Sequence, residues 1–282
     1  MAISTVSDLN SLFNLIYEDA VFVAREQNLM VNLVRNFSAR GWMSRKLSIY
    51  PEVTAETVGE GEDFANPTTF DKTVLATLTP EEVMAQIVLT DRRIETDPDD
   101  ARRDAATELG NAIATKIDTD LVTEFTNITS GVGSAGTSLT FNMVAAALAQ
   151  LRNANTPNPI YVVLHPFGWY DVWDELGSPA SNQAFLGDVA NEALRSFFVG
   201  DWLNISWFTS SNIPVDDNDD AVSAIFNPNA LGFDSRKAPT LEVDRDPSLR
   251  AYELNMSAGY AVGVIRTAFA RKITHDATTP TS

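Results

Sequence analysis

Four groups of residues in this sequence carry side chains or spacings that could do chemistry. Gly131, Gly133 and Gly136 match the G-x-G-x-x-G pattern that cradles a pyrophosphate. That site needs a strand before it, a helix after it and an acidic residue about 20 positions on. Here no Asp or Glu occurs between Phe125 and Tyr170, and a long helical pattern precedes the glycines. The spacing therefore reads as a flexible linker. Asp216, Asn218 and Asp220 have the spacing of the first three ligands of a calcium loop. Ala221 and Asn227 stand where that loop needs Gly and a bidentate Glu, so a solvated acidic loop is expected. His165, between Leu164 and Pro166, could act as a general base, but no G-x-S-x-G elbow accompanies it. Trp169, Tyr170 and Trp173 cluster at helical spacing, which suits core packing better than a ligand platform.

Composition narrows the chemistry further. The chain has no Cys and only two His, His165 and His275. A disulfide scaffold, a thiolate zinc site, an iron–sulfur cluster, a cysteine nucleophile and a histidine-rich metal site are excluded. No catalytic, cofactor-binding or metal-ligating residue is assigned, and an enzyme is not expected. The net charge is −18 over 282 residues, and only residues 1–50 are not acidic in balance. A dedicated nucleic-acid surface would need clustered Lys and Arg, so none is expected. The N-terminal residues lack the positive region of a signal peptide, and no apolar run reaches the ~20 residues that span a bilayer. The sequence reads as soluble and intracellular at synthesis, with no membrane partner.

The elements follow from periodicity. Ser7–Ala24 repeats apolar residues at helical spacing behind a Ser cap. From Lys46 the period changes to two. Lys46–Val58 and Thr69–Leu78 alternate on either side of the turn Gly59–Asp63, which predicts a hairpin about 40 Å long. Two strands alone are marginal in water, so the apolar stripe of this arm needs cover. Glu82–Ile94 is apolar and β-rich, a strand or a short helix. Asp97, Pro98, Asp99 and Asp100 then start a helix that should run to about Ile128, roughly 45 Å. Its apolar residues Ala101, Ala105, Leu109, Ile113, Ile117, Leu121 and Phe125 recur every four residues. Such a stripe drifts about 40° per step, so different elements must meet it along its length.

Beyond the glycines, Thr140–Asn153, Trp169–Leu176 and Asn182–Phe198 read as helices. Tyr161–Leu164, Trp202–Phe208, Ala221–Phe226, Tyr252–Met256 and Val262–Arg271 read as strands, with a frayed tail after His275. There is no regular βαβ rhythm, so the fold class is α+β.

The order of elements resembles the major capsid proteins of tailed bacteriophages, with the Hong Kong 97-like fold. The hairpin followed by D-P-D-D-A-R-R-D-A-A-T-E-L-G-N-A-I-A carries most of the resemblance, and Y-E-L-N-M-S-A-G-Y-A-V-G-V-I-R-T-A-F-A-R closes it. The resemblance implies an N-terminal arm over residues 1–45 and an E-loop hairpin over 46–79 that lies on a neighbouring subunit. It implies a peripheral domain over 80–136 with a spine helix at 97–129, and an axial domain over 137–235. Residues 236–282 would return to complete the peripheral-domain sheet and form the C-terminal tail. The hairpin and helix stripes then meet other copies, with Leu47, Ile49, Val53, Phe70, Val74, Leu109, Ile113 and Ile117 as candidate inter-subunit contacts. The implied function is self-assembly of pentamers and hexamers into an icosahedral head, built in the host cytoplasm and enclosing double-stranded DNA touched non-specifically. A separate scaffolding protein and a portal are implied partners. Some members of this family join an E-loop Lys to an Asn of another subunit. Lys72, with Asn227 or Asn229, is the conceivable pair here, and no cross-link is expected. The alternatives are an encapsulin-type compartment shell on the same fold, or a soluble enzyme using His165 and the aromatic cluster.

Overall fold

The computed structural model describes residues 29–64, 67, 69–96, 98–177 and 201–281. The expected helices Ser7–Ala24 and Asn182–Phe198 lie outside them. A helical turn, α1 (Met30–Leu33), leads into a short strand, β1 (Arg35–Ser38). The hairpin strands β2 (Arg45–Ile49) and β3 (Thr73–Leu78) follow. β4 (Glu81–Thr90) is a strand because its burial alternates strictly: Val83, Ala85, Ile87 and Leu89 turn inward, and Met84, Gln86 and Val88 turn to solvent. Two helices come next, α2 (Asp91–Thr96) and α3 (Pro98–Thr123). The last turn after α3 tightens to a 3-10 helix over Glu124–Asn127, so the long helix ends sooner than the residue pattern suggested.

The chain continues through β5 (Gly131–Gly133), α4 (Phe141–Asn153), β6 (Tyr161–Leu164) and α5 (Pro166–Gly177). Thr140 caps α4 by accepting the Met143 N–H. The remaining strands are β7 (Asp201–Trp202), β8 (Ile205–Thr209), β9 (Asp220–Phe226), β10 (Leu231–Asp246), β11 (Ala251–Val264) and β12 (Ala270–Asp276).

Among the described residues two larger sheets organise these elements, and β2 and β3 form a third of two strands. The first has the order β1-β10-β11-β4 and the second β5-β12-β9-β6-β8-β7. The inner face of the first sheet, with Leu254, Met256, Ala258 and Tyr260, buries against α3. In the second, Val144, Ala147, Leu148 and Leu151 form one face of α4. They pack on Val162, Leu164, Ile225 and Ile273 from the sheet and on Trp169 and Val172 from α5. The fold is α+β with its helices set against sheet faces.

Several expectations change. β11 is one strand of fourteen residues where two were expected, and β10, sixteen residues long, was not foreseen. Pro239 and the polar run around it hide β10 in the sequence. The register shifts between Ser235 and Thr240 accommodate the proline, which cannot donate to a ladder. Residues 236–282 divide between the sheets, because β12 lies between β5 and β9 and not in the first sheet. The tail after His275 is anchored at its start: the Asp276 N–H donates to Thr137 and the Ala277 N–H to Asp219.

The Gly131–Gly136 stretch is no linker. Gly131–Gly133 pairs in parallel with Lys272–Thr274. A Cβ on Gly131 would stand 2.6 Å from the Lys272 carbonyl oxygen, and one on Gly133 would overlap the Thr274 carbonyl, at a φ of +79°. Gly133→Ala should therefore cost about 2–4 kcal/mol, from left-handed strain plus overpacking. Thermal unfolding of the variant checks this; an unchanged Tm would count against the close approach.

Candidate assembly surface

The hairpin is paired only at its root. Arg45–Ile49 runs antiparallel to Thr73–Leu78, with a register shift between Leu47 and Ser48. Residues 50–72 carry no ladder among the described residues, so the expected 40 Å ribbon is mostly unpaired. Pro51 lacks a donor, and Glu52, Glu56, Glu60, Glu62 and Asp63 repel one another along a narrow arm. The limbs still meet at one point. Tyr50 and Phe70 stack with ring centroids 4.5 Å apart, and the Lys72 ammonium lies 5.4 Å above Tyr50. At the tip the Glu62 N–H donates to the Gly59 carbonyl.

Two cross-strand partners, Arg45 and Leu78, fix this arm to the first sheet. Leu78 is buried over a notch made by Gly232 and Gly263, which pair with each other across β10 and β11. A Cβ on Gly263 would stand 2.8 Å from a Leu78 methyl, so the notch exists only because both positions lack side chains. Arg45 Nε lies 2.7 Å from Asp234 Oδ2, and Arg236 Nη2 lies 2.7 Å from the same oxygen. The Asp234 side chain is 0% exposed. Arg45 also donates to the Ser38 carbonyl, and Arg236 to the Gly41 carbonyl. Arg35 and Arg45 each lie 5.0 Å from the ring centre of Phe37. One carboxylate thus ties the hairpin, the loop before it and strand β10 together.

Beyond this root, apolar side chains stand uncovered among the carboxylates. Val53 and Phe70 are each 62% exposed and Val74 is 51% exposed. Leu47 and Ile49, nearer the root, are half-buried. Leu109, Ile113 and Ile117 are corrected: each lies in this chain's own core, leaving no surface for a neighbour. The drifting stripe of α3 is met by α1, β4 and β11 in the same chain. Sequence reasoning also missed exposed Trp42, Met43, Tyr50, Val58 and Leu75. Val74 and Leu75 are both exposed, because a two-stranded ribbon shows both faces to water; alternation alone could not show that.

The other chemical candidates resolve into structure. His165 is buried, its Nδ1 accepting the Phe167 N–H. Burial and then the neighbouring His275 hold it below the ordinary histidine range. Trp169 is buried with its ring centre 5.7 Å from that of Trp207, while Tyr170 and Trp173 lie 6.0 Å apart. Asp216 Oδ1 accepts the N–H groups of Asn218 and Asp220, and Asp220 Oδ1 accepts that of Gly136. These carboxylates cap their own loop, and among the described residues no group of His, Asp and Glu could hold a metal ion. Asn227 is buried, donating to the Pro157 and Pro159 carbonyls, which removes it as a partner for Lys72. Asn229 is exposed. A cleft of about 260 Å³ beside the hairpin root is lined by Glu81, Lys116, Asp120, Glu124 and Tyr260. The Tyr260 hydroxyl donates to Asp120, and burial first and then that carboxylate hold it protonated well above the usual tyrosine range. Among the described residues no helix is long and apolar enough to cross a membrane.

The fold is that of a capsid protein. The chain is similar to a structure from Mycobacterium phage Che8, at 19% identity and a TM-score of 0.69, with 87% of this chain and 90% of that one covered. It is similar to a chain in the head of Helicobacter pylori bacteriophage KHP40, at 13% identity and a TM-score of 0.69, covering 86% and 87%. A virus-like particle from Pyrococcus furiosus shares the fold at 11% identity and a TM-score of 0.57, covering 94% and 99%. A comparison with curated proteins finds no match. The model of the phage capsid protein family matches residues 85–273, and the chain belongs to that family as a phage major capsid protein.

Replacing Asp234 with Ala strands the buried Arg236 guanidinium and leaves the partly exposed Arg45 without its carboxylate partner. The expected cost is about 3–5 kcal/mol, with faster tryptic cleavage at Arg45 and Lys46. Unfolding and limited proteolysis measure both effects; a variant as stable and as resistant as the parent would remove Asp234 from its anchoring role.

Proposed function

We propose that this chain assembles with copies of itself into a closed icosahedral head around double-stranded DNA. The observation that carries this reading is the cantilevered hairpin: an arm anchored at its root that leaves Val53, Phe70 and Val74 exposed among its described residues. Burying one such Val or Phe side chain contributes about 1.5–3 kcal/mol, so a few per arm make a modest interface, repeated around every subunit.

In this reading residues 46–79 act as the E-loop laid on a neighbour, with Leu47, Ile49, Val53, Phe70 and Val74 in the contact. Helix α3 is the spine of a peripheral domain spanning 80–136. Residues 137–235 form the axial domain that meets its copies around five-fold and six-fold centres, and residues 1–45 reach out as an arm. The boundary at 235 falls in β10, at its shift in register, and β12 joins the axial sheet. The mechanism is geometric and needs no catalytic step. Partly unpaired, the hairpin can settle on neighbours set at slightly different angles. The net charge of −18 repels DNA phosphate, which keeps packaged DNA from sticking to the wall. A scaffolding protein and a portal would complete assembly, in the host cytoplasm.

The likeness to the Pyrococcus furiosus particle keeps a compartment shell as the second reading. The family match favours the phage head, and the contents of the particles separate the two: nucleic acid for one, packaged protein for the other. Electron microscopy of the purified chain should show closed shells. The double variant Val53→Asp, Phe70→Asp should keep its folded body, losing about 0.5–1.5 kcal/mol with the Tyr50 stack, and fail to close shells. Undiminished shells from that variant, or only monomers and small rings from the parent under every condition, would overturn the proposal.

A further inference from the structure

The fold gathers the chain's two histidines into one buried polar cluster. His275, near the end of β12, is fully buried, and His165 follows β6. His275 Nδ1 lies 2.8 Å from the main-chain carbonyl of Asp276, which can only accept, so Nδ1 carries the proton. Nε2 therefore accepts from the Ser223 hydroxyl, 2.9 Å away. Ser223 Oγ in turn accepts the His165 main-chain N–H at 3.2 Å. From α5, Gly168 lies flat on the imidazole; a Cβ there would stand 2.5 Å from Cε1. The ring thus joins β12, β9, the end of β6 and α5, as one neutral tautomer with no room to turn.

The charged groups facing His275 are Asp171 from α5, Asp220 from β9 and Asp276 from β12, together with His165. Each carboxylate is engaged elsewhere. Asp171 accepts the Leu139 N–H, Asp220 the Gly136 N–H and Asp276 the Thr278 N–H. Burial outweighs their attraction and holds His275 below the ordinary histidine range.

We propose that the Ser223–His275 pair is an acid-sensitive clasp, tightening the packing of α5 on β9 and β12 while the imidazole is neutral and loosening it on acidification. A second ring proton would occupy the place of the Ser223 hydroxyl hydrogen and put a charge where no water reaches. The unfolded chain takes up that proton near pH ~6.5, and the folded chain only at lower pH. The clasp's stability is therefore complete above that value and is lost as pH falls below it. The loss is up to about tenfold in folding equilibrium constant per pH unit, until the folded-state value is reached.

Two measurements on the full chain decide this. Deuterium exchange at the imidazole C2–H, read by mass spectrometry, should give His275 a midpoint below about 6.5. Backbone exchange in α5 and β9, corrected for intrinsic rate, should quicken as that midpoint is approached. In His275→Gln an amide oxygen can still accept from Ser223 but cannot titrate in this range. From pH 7.5 to 5.5 the parent should lose more in folding equilibrium constant than this variant, by up to about tenfold. A His275 midpoint at or above 6.5, or a variant whose stability falls as steeply as the parent's, overturns the proposal. If the variant does not fold, the C2–H midpoint decides alone.

Discussion

The Asp234 carboxylate, itself shut off from water, binds the buried Arg236 guanidinium and the partly exposed Arg45 guanidinium, and the reach of the hairpin follows from that. A lever projecting into solvent needs a rigid root. Arg45 supplies it through charge-assisted hydrogen bonds, and its cross-strand partner Leu78 supplies it through shape, seated over two paired glycines. Neither device would suffice alone. An ion pair fixes direction but costs desolvation, whereas a methyl group in a notch gains burial but little angular constraint. Both act on the same rung of the ladder, so the ribbon beyond it can stay thin and largely unpaired.

The division between inward and outward apolar residues decides what the molecule can do. Helix α3 spends its stripe inside this chain, on α1, β4 and β11. The hairpin spends none of Val53 or Phe70 there. The body therefore covers its own stripe, while the arm leaves Val53 and Phe70 exposed. Against this short-range attraction stands the net charge of −18, which keeps copies apart at long range and is screened by salt.

The second sheet solves a different problem, that of polar groups inside a core. Ser223, His165 and His275 satisfy one another in a row, and Asn227 closes the neighbouring turn on the Pro157 and Pro159 carbonyls. Residues that looked catalytic or ligating in isolation are used as internal fasteners. His165 Nδ1, Asp216 Oδ1 and Asp220 Oδ1 each accept main-chain N–H groups, so these atoms serve the fold.

By itself the sequence determined what is local. The alternation of Leu47, Ile49 and Val53, the Pro98 start of α3 and the four-residue stripe through Leu109 and Ile113 are set by neighbours along the chain, and the α+β class and family resemblance rest on them. Only tertiary structure decided which stripe meets its own chain and which is left bare, because the same apolar spacing serves a core or an interface equally well. The glycines at 131 and 133 looked like a linker until Lys272 and Thr274 came to lie beside them. Asp234 looked like any charged residue until Arg45 and Arg236 arrived from elsewhere in the fold. Contacts of that kind depend on distances across the chain, and a residue's own neighbours in sequence carry no trace of them.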